Sequence, residues 1–367
     1  MQAILEREFC FRKITSSVKT VLMKKAVLFK KLGGKKVKCL CCQRYCVIKD
    51  GLSGFCGVRK NVNGELYLIV YGKPIAVHTD PVEKKPLFHF LPGTEIFSFG
   101  TIGCNFRCSF CQNWDISQIT ARMIGKIRGA RRELSPKKIV DYCVKNKIPS
   151  IAYTYNEPTI FTEYAHDTGV LARKKGIKNV YVSNGYESEE CLKYMLNFCD
   201  AINIDIKSFS NEFYAKVCGG VRLNGVKETI KKSFEMGFWI ECTTLVIPEL
   251  NDSDKELKEI AEFLVAVSPD IPWHVTAFHP DYKMTDKKFT PAATLEKAVE
   301  IGKKAGLKFV YTGNILNPDG ENTYCPKCKK LLIERSGMSC LTCDIKTGKN
   351  GVGTCPYCKE KIAGIWK

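Results

Sequence analysis

The sequence predicts an α/β chain: a partial (β/α)6 TIM-like barrel, with a small Cys-rich N-terminal region before it and a zinc-ribbon or rubredoxin-like module after it. Three observations predict this. Residues 96–316 alternate apolar runs with amphipathic helices six times. Upstream, Cys39, Cys42, Cys46 and Cys56 are spaced C-x2-C-x3-C-x9-C. Downstream, Cys325-Pro-Lys-Cys328 and Cys355-Pro-Tyr-Cys358 form two C-P-x-C knuckles. The expected segments are a basic extension (1–22), the Cys-rich region (23–95), the barrel (96–316) and the terminal module (317–367).

From the N-terminus, residues 11–36 are basic, and their apolar runs are too short for a signal-peptide core. A solvated arm is expected; a basic amphipathic helix on anionic lipid is the rival. The 367 residues are 45% apolar and 26% charged, which places the chain among soluble globular proteins. No apolar stretch approaches the length of a membrane span, so a cytoplasmic location is expected. Of 20 cysteines, 14 fall in three tight clusters, a pattern that favours metal sites over disulfides. Cys143 and Cys242 stand in apolar segments and are expected in the core. The net charge of +19 admits an acidic partner, a nucleic acid or simple solubility. Lysines spread along the whole chain fit a general bias better than a binding stripe.

In the middle segment, buried strands are expected at Ile96–Ile102, Ser150–Tyr155, Asn179–Ser183, Ala201–Ile206, Trp239–Ile247 and Trp273–Phe278. A further run, Phe309–Thr312, reads as a seventh strand or an edge. The helices between have legible starts. Ser135-Pro136 pairs a capping hydroxyl with a first-turn proline, and Thr290-Pro291 repeats the device. Ser253 with Glu256 reads as a capping box. An open doubly wound sheet has the same alternation and remains the rival.

Directly after the first strand comes "TIGCNFRCSFCQNWD", with Cys104, Cys108 and Cys111 spaced C-x3-C-x2-C. In a parallel barrel this is the C-terminal face, where active sites lie. Structural thiolate sites take four protein ligands. Three thiolates on a four-iron cluster leave one iron for a small chelating molecule.

This loop, with Phe110 before its last cysteine, resembles the cluster loop of the radical S-adenosylmethionine (SAM) superfamily. The resemblance implies a [4Fe–4S] cluster that passes one electron to bound SAM, giving a 5′-deoxyadenosyl radical that takes a hydrogen atom from a substrate. It further implies roles at later strand ends. In "YTYNEPT", Glu157 would receive the SAM ammonium, with Tyr155 and Asn156 shaping the loop. In "VSNGY", Ser183 and Asn184 would bond ribose or carboxylate, and Gly185 would allow close backbone approach. In "NIDIKS", Asp205 and Lys207 match the D-x-K of the pyruvate formate-lyase activating-enzyme branch, where the lysine contacts SAM. In "TAFHPD", His279 matches that branch's strand-end histidine. "DPVEKKPLFHFLPG", "VIPELNDS" and "VYTGNI" extend the likeness to AmmeMemoRadiSam-system radical SAM enzymes, from about Met23 to the C-terminus. Members begin near Met23, so residues 1–22 are expected to be an extension or a misassigned start. The kinship implies a low-potential electron donor (ferredoxin or flavodoxin), a protein or peptide substrate, and a Memo-like partner by association.

The flanking cysteines are sufficient in number to close their sites. For Cys39, Cys42, Cys46 and Cys56, zinc and a second iron–sulfur cluster are both open, with zinc slightly preferred; Cys41, apolar in relatives, competes as a ligand. Cys325, Cys328, Cys355 and Cys358 should hold zinc or iron and stabilise a module with few large apolar residues. Cys340 and Cys343 form a third pair that either replaces a knuckle or lies free. "GIW" at the end should pack this module. The alternative functions are radical modification of a small molecule or RNA, and a zinc-ribbon nucleic-acid-binding protein. The last explains the charge and the knuckles but not the three-cysteine loop.

Overall fold

The computed structural model describes residues 23–118, 133–315 and 317–367. The basic extension of residues 1–22 lies outside them. No helix among the described residues is long and apolar enough to cross a membrane.

Eight strands form the central sheet: β1 (Ala76–Pro81), β2 (Glu95–Gly100), β3 (Ser150–Tyr153), β4 (Lys178–Ser183), β5 (Ala201–Asp205), β6 (Trp239–Val246), β7 (Trp273–Ala277) and β8 (Val310–Gly313). Each lies beside its neighbour in sequence, and all pairs from β2 onward are parallel. Without a reversal of strand order there is no topological switch point, which separates this sheet from the doubly wound rival. The run at residues 309–312 is a true seventh parallel strand. β1 was expected in the Cys-rich region; it instead pairs antiparallel with β2 as the sheet edge.

The crossovers are α1 (Pro136–Lys145), α2 (Thr162–Arg173), α3 (Glu189–Met195), α4 (Asn211–Lys216), α5 (Leu223–Glu235), α6 (Asp254–Val267) and α7 (Ala292–Ala305). Ser135 caps α1 through the Lys138 amide, as its sequence predicts. Two other caps differ. Ser253 caps α6, but Glu256 does not reach back to complete the box; its carboxylate accepts from the Ser208 hydroxyl and the Phe209 amide, at 2.8 Å for the latter. Thr290 does not cap α7. Its hydroxyl donates to the Val246 carbonyl (2.6 Å) and accepts from the Phe278 amide (2.8 Å), tying the ends of β6 and β7. In both cases a tertiary partner outcompetes the local one.

Two small antiparallel sheets hold the N-terminal cysteines: Phe29–Lys31 with Val37–Cys39 and Val47–Ile48, and Lys24–Lys25 with Glu65–Leu68 and Arg59–Val62. They have no core of their own. Val37, Leu66 and Leu68 join the same apolar cluster as Phe99, Tyr153 and Tyr181 of the barrel. Arg59 and Glu163 of α2, both almost fully buried, pair across this seam at 2.5 Å.

The start of the barrel is closed by residues 86–91. Glu241, third in β6, accepts from the Phe88 and His89 amides (2.9 and 2.8 Å) and pairs with His274 of β7 (2.8 Å). The terminal module docks on this plug. Leu91 and His89 exchange backbone bonds with Ile365 at 2.7 and 2.8 Å, and the indole of Trp366 packs on Gly353. Buried Arg335 donates to the Phe88 carbonyl at 2.7 Å. Within the module, the Sγ atoms of Cys325, Cys328, Cys355 and Cys358 lie within 4.8 Å of one another. Cys340 and Cys343 stand outside this group; Cys340 packs against Gly93.

Candidate functional site

β2 ends at Gly100, and the chain turns at Gly103 with φ +87°. A Cβ there would fall 2.4 Å from the Cys56 carbonyl, so only glycine lets the two loops touch. The Asn156 amide donates to the Gly103 carbonyl at 2.7 Å and braces the turn. Three cysteines follow, Cys104 and Cys108 buried and Cys111 partly buried. Cys104 Sγ accepts from the Phe106 amide (3.3 Å) and from the Asn184 side chain (3.5 Å). Cys111 Sγ lies 3.0 Å from the Ser117 hydroxyl. Burial pushes both thiols up, while the Phe106 amide at Cys104 and the Ser117 hydroxyl at Cys111 pull the other way. Cys108 is buried against the Cys218 thiol.

The later strand ends converge on this loop. After β5, the Lys207 ammonium pairs with Asp205 at 2.6 Å and lies 5.9 Å from the centre of the Phe110 ring. Burial disfavours the charge on Lys207, but Asp205 and the Cys108 and Cys218 thiols outweigh it and hold the pKa above its ordinary value. After β7, His279 Nε2 lies 2.9 Å from Gln112 Nε2, which places this exposed ring beside the residue that follows Cys111. The Lys283 amide donates to the Ser109 carbonyl (3.0 Å), and Tyr282 stacks on Trp114 at 5.3 Å.

The turns after β3 and β4 are organised by two carboxylates. Glu157 is fully buried. Its Oε1 accepts from the Thr159 amide (3.0 Å), the Thr159 hydroxyl (2.6 Å) and the Ser183 hydroxyl (3.0 Å); its Oε2 accepts from the Asn184 amide (2.8 Å). Its observed work is to hold Asn184, whose side chain reaches Cys104. Ser183 also bonds Glu187 Oε1, at 2.5 Å. Gly185 (φ +68°) lies so close to Ile204 that a Cβ would come within 2.5 Å.

Sequence reasoning missed Glu187, Gln112 and Cys218. Gln112 adjoins a recognised cysteine. Glu187 reads as an ordinary acid before a helix, and Cys218 as a scattered thiol. Only the fold shows that Glu187 shares two hydroxyls with Glu157. Burial and then the neighbouring charge push Glu157 up, and burial pushes Glu187 up. The folded chain therefore binds protons here that the unfolded chain releases near the ordinary value of 4.5. This contribution is complete below that value and is lost as pH rises through the raised one. We expect stability to fall between about pH 5 and about pH 8, by at most about 1.4 kcal/mol per pH unit for one proton. Glu187→Gln should flatten this slope in urea titrations; an unchanged slope would show that the pair is not its source.

Three thiols with donors aimed at sulfur and an ammonium beside them suit an anionic iron–sulfur cluster. Nearby, Asn105 Nδ2 and Asn156 Oδ1 are buried without a partner, a donor and an acceptor available to a small polar ligand. The Cys104, Cys108 and Cys111 sulfurs do not gather within the 4.8 Å spacing of the terminal four.

The family model for the radical SAM superfamily matches residues 99–264. Uncharacterized protein MJ0808 of Methanocaldococcus jannaschii is 44% identical over 343 residues, covering 93% of this chain and 99% of that protein. The pyruvate formate-lyase-activating enzyme of Clostridium pasteurianum is 23% identical, covering 50% of this chain and 80% of that enzyme. A crystallised domain of the pyruvate-formate lyase-activating enzyme from Bacteroides vulgatus aligns with a TM-score of 0.39 and 20% identity, over 44% of this chain and 98% of that domain.

Proposed function

The chain belongs to the radical SAM superfamily, and from that premise we propose that it cleaves SAM reductively at a [4Fe–4S] cluster held by Cys104, Cys108 and Cys111, and abstracts hydrogen from a protein or peptide. The observation that carries this is the convergence of Asn184, Lys207, Asp205 and His279, from three different strand ends, on one three-thiol loop. When bound, the cluster and SAM supply the hydrogen-abstracting 5′-deoxyadenosyl radical.

The chain's own residues do the positioning. Asn184 and the Phe106 amide hold Cys104. Lys207 offsets thiolate charge, and Asp205, about one-third exposed, fixes its ammonium. Asn156 and Asn105 offer the unpaired polar atoms to SAM. The His279–Gln112 pair sits at the mouth. Beside it, Trp114 and Phe289 expose 44% and 70% of their surface, an apolar rim suited to a peptide. The likeness to an activating enzyme supports the same substrate class. A ferredoxin or flavodoxin would supply the electron, since the cluster couple lies toward the low end of about −700 to +450 mV.

Anaerobic reconstitution followed by dithionite and SAM should yield 5′-deoxyadenosine. A cluster-replete chain that produces none sinks the proposal. Electron paramagnetic resonance of a candidate partner after turnover tests the substrate: a backbone radical is expected, and a radical-free partner after complete SAM consumption counts against a protein substrate.

A further inference from the structure

We infer that Cys39, Cys42, Cys46 and Cys56 hold a second [4Fe–4S] cluster, not zinc, in direct contact with the Cys104–Cys111 loop. Three observations carry this, and the first is a contrast within the molecule. Thiolates on one zinc lie about 2.3 Å from the metal and therefore about 3.8 Å from one another. The terminal module meets that geometry, with Cys325–Cys358 and Cys328–Cys355 sulfurs 3.6 and 3.7 Å apart. The N-terminal four do not gather within that 4.8 Å spacing.

The second observation is what they surround. All four line one partly open cavity of about 20 Å3, room for a water-sized sphere. Four sulfurs closed on a single ion leave no such room, whereas a four-iron core takes each thiolate on a separate corner. Cys41 also borders the cavity, but its thiol donates to the Thr159 carbonyl at 2.8 Å, so it already has a partner.

The third is location. Arg44, between Cys42 and Cys46, donates to the Asn105 carbonyl (2.5 Å) and the Gly219 carbonyl (2.7 Å). Arg107, between Cys104 and Cys108, donates to the Phe55 carbonyl (2.7 Å), next to Cys56. Gly103 packs on the Cys56 carbonyl, and Asn105 lines the cavity itself. The two thiol sets are thus adjacent loops locked by reciprocal arginines. The terminal module, in contrast, docks at the far end of the barrel.

The inference rests on the radical SAM reading only for the identity of the neighbouring cluster, and the test separates the two. Iron, zinc and acid-labile sulfide are measured on the anaerobically reconstituted full chain, because zinc and mononuclear iron sites contain no sulfide. About eight sulfides per chain are expected, falling to about four in the triple variant Cys104→Ala, Cys108→Ala, Cys111→Ala. Adding Cys42→Ala and Cys46→Ala should remove the rest. Four sulfides in the wild type that vanish in the triple variant, with one zinc beyond that of the terminal module, overturn the inference and leave the Cys104 site intact. Four that survive the triple variant support it and sink the Cys104 assignment. If the variants fail to fold, Mössbauer spectroscopy of the wild type decides between two cubanes and one.

Discussion

Cys108→Ala should reduce 5′-deoxyadenosine formation to background while any metal content of the Cys325, Cys328, Cys355 and Cys358 group stays at the wild-type level. Loss of an outer-shell partner alone typically costs 10–100-fold at a metal site. Loss of a ligand from a three-thiol set should cost more than about 100-fold, because no spare protein ligand belongs to the loop. One neighbour requires a control. The Cys218 thiol lies against Cys108 and can reach the vacated corner, so a double variant with Cys218→Ala excludes rescue. The terminal four-thiol group should be indifferent, since its module contacts the barrel through Phe88, His89 and Leu91 near the strand starts, away from the loop after β2. Metal analysis alongside product assay checks both halves. Retained product in the double variant would remove Cys108 from the site.

The largest stability effect is expected at Glu163. Arg59 and Glu163 are 2% and 1% exposed and share two contacts, at 2.5 and 3.1 Å. Glu163→Ala would leave a buried guanidinium whose remaining hydrogen bond is to the Ile160 carbonyl, beside the cysteines of the N-terminal cavity. Breaking a buried pair on one side costs about 3–5 kcal/mol, because the survivor keeps its desolvation penalty. The joint replacement Arg59→Met, Glu163→Leu should recover most of that loss, since it removes both charges. The Val27 amide also bonds Glu163 at 3.0 Å, so the single variant should loosen the N-terminal sheets and lower iron retention at Cys39, Cys42, Cys46 and Cys56. Urea midpoints of the three proteins give the comparison. A Glu163→Ala midpoint equal to that of the wild type would show that water reaches this seam.

Much of the barrel was legible because burial on both faces writes strands as continuous apolar runs, and all six expected strands form. The caps were less legible. Ser135 has no competing partner and caps as its sequence suggests, whereas Glu256 and Thr290 are drawn to groups far along the chain. The same distinction runs through the site. Cysteine spacing is local, so the three-thiol loop and both four-thiol sets were visible as motifs. The partners of Glu157 were not, because Glu187 and Ser183 meet it only when β3 and β4 pair in register.

By itself, then, the sequence determined which residue types can ligate metal and which segments become strands, since both follow from chemistry within a few residues. The tertiary structure alone decided which thiols stand close and which stand apart, that Cys56 touches Gly103, and that Glu157 faces inward. Those outcomes depend on distances between segments far apart in the chain: Arg44 and Arg107 bridge the two thiol loops, and Ser183 and Asn184 of the β4 end hold Glu157.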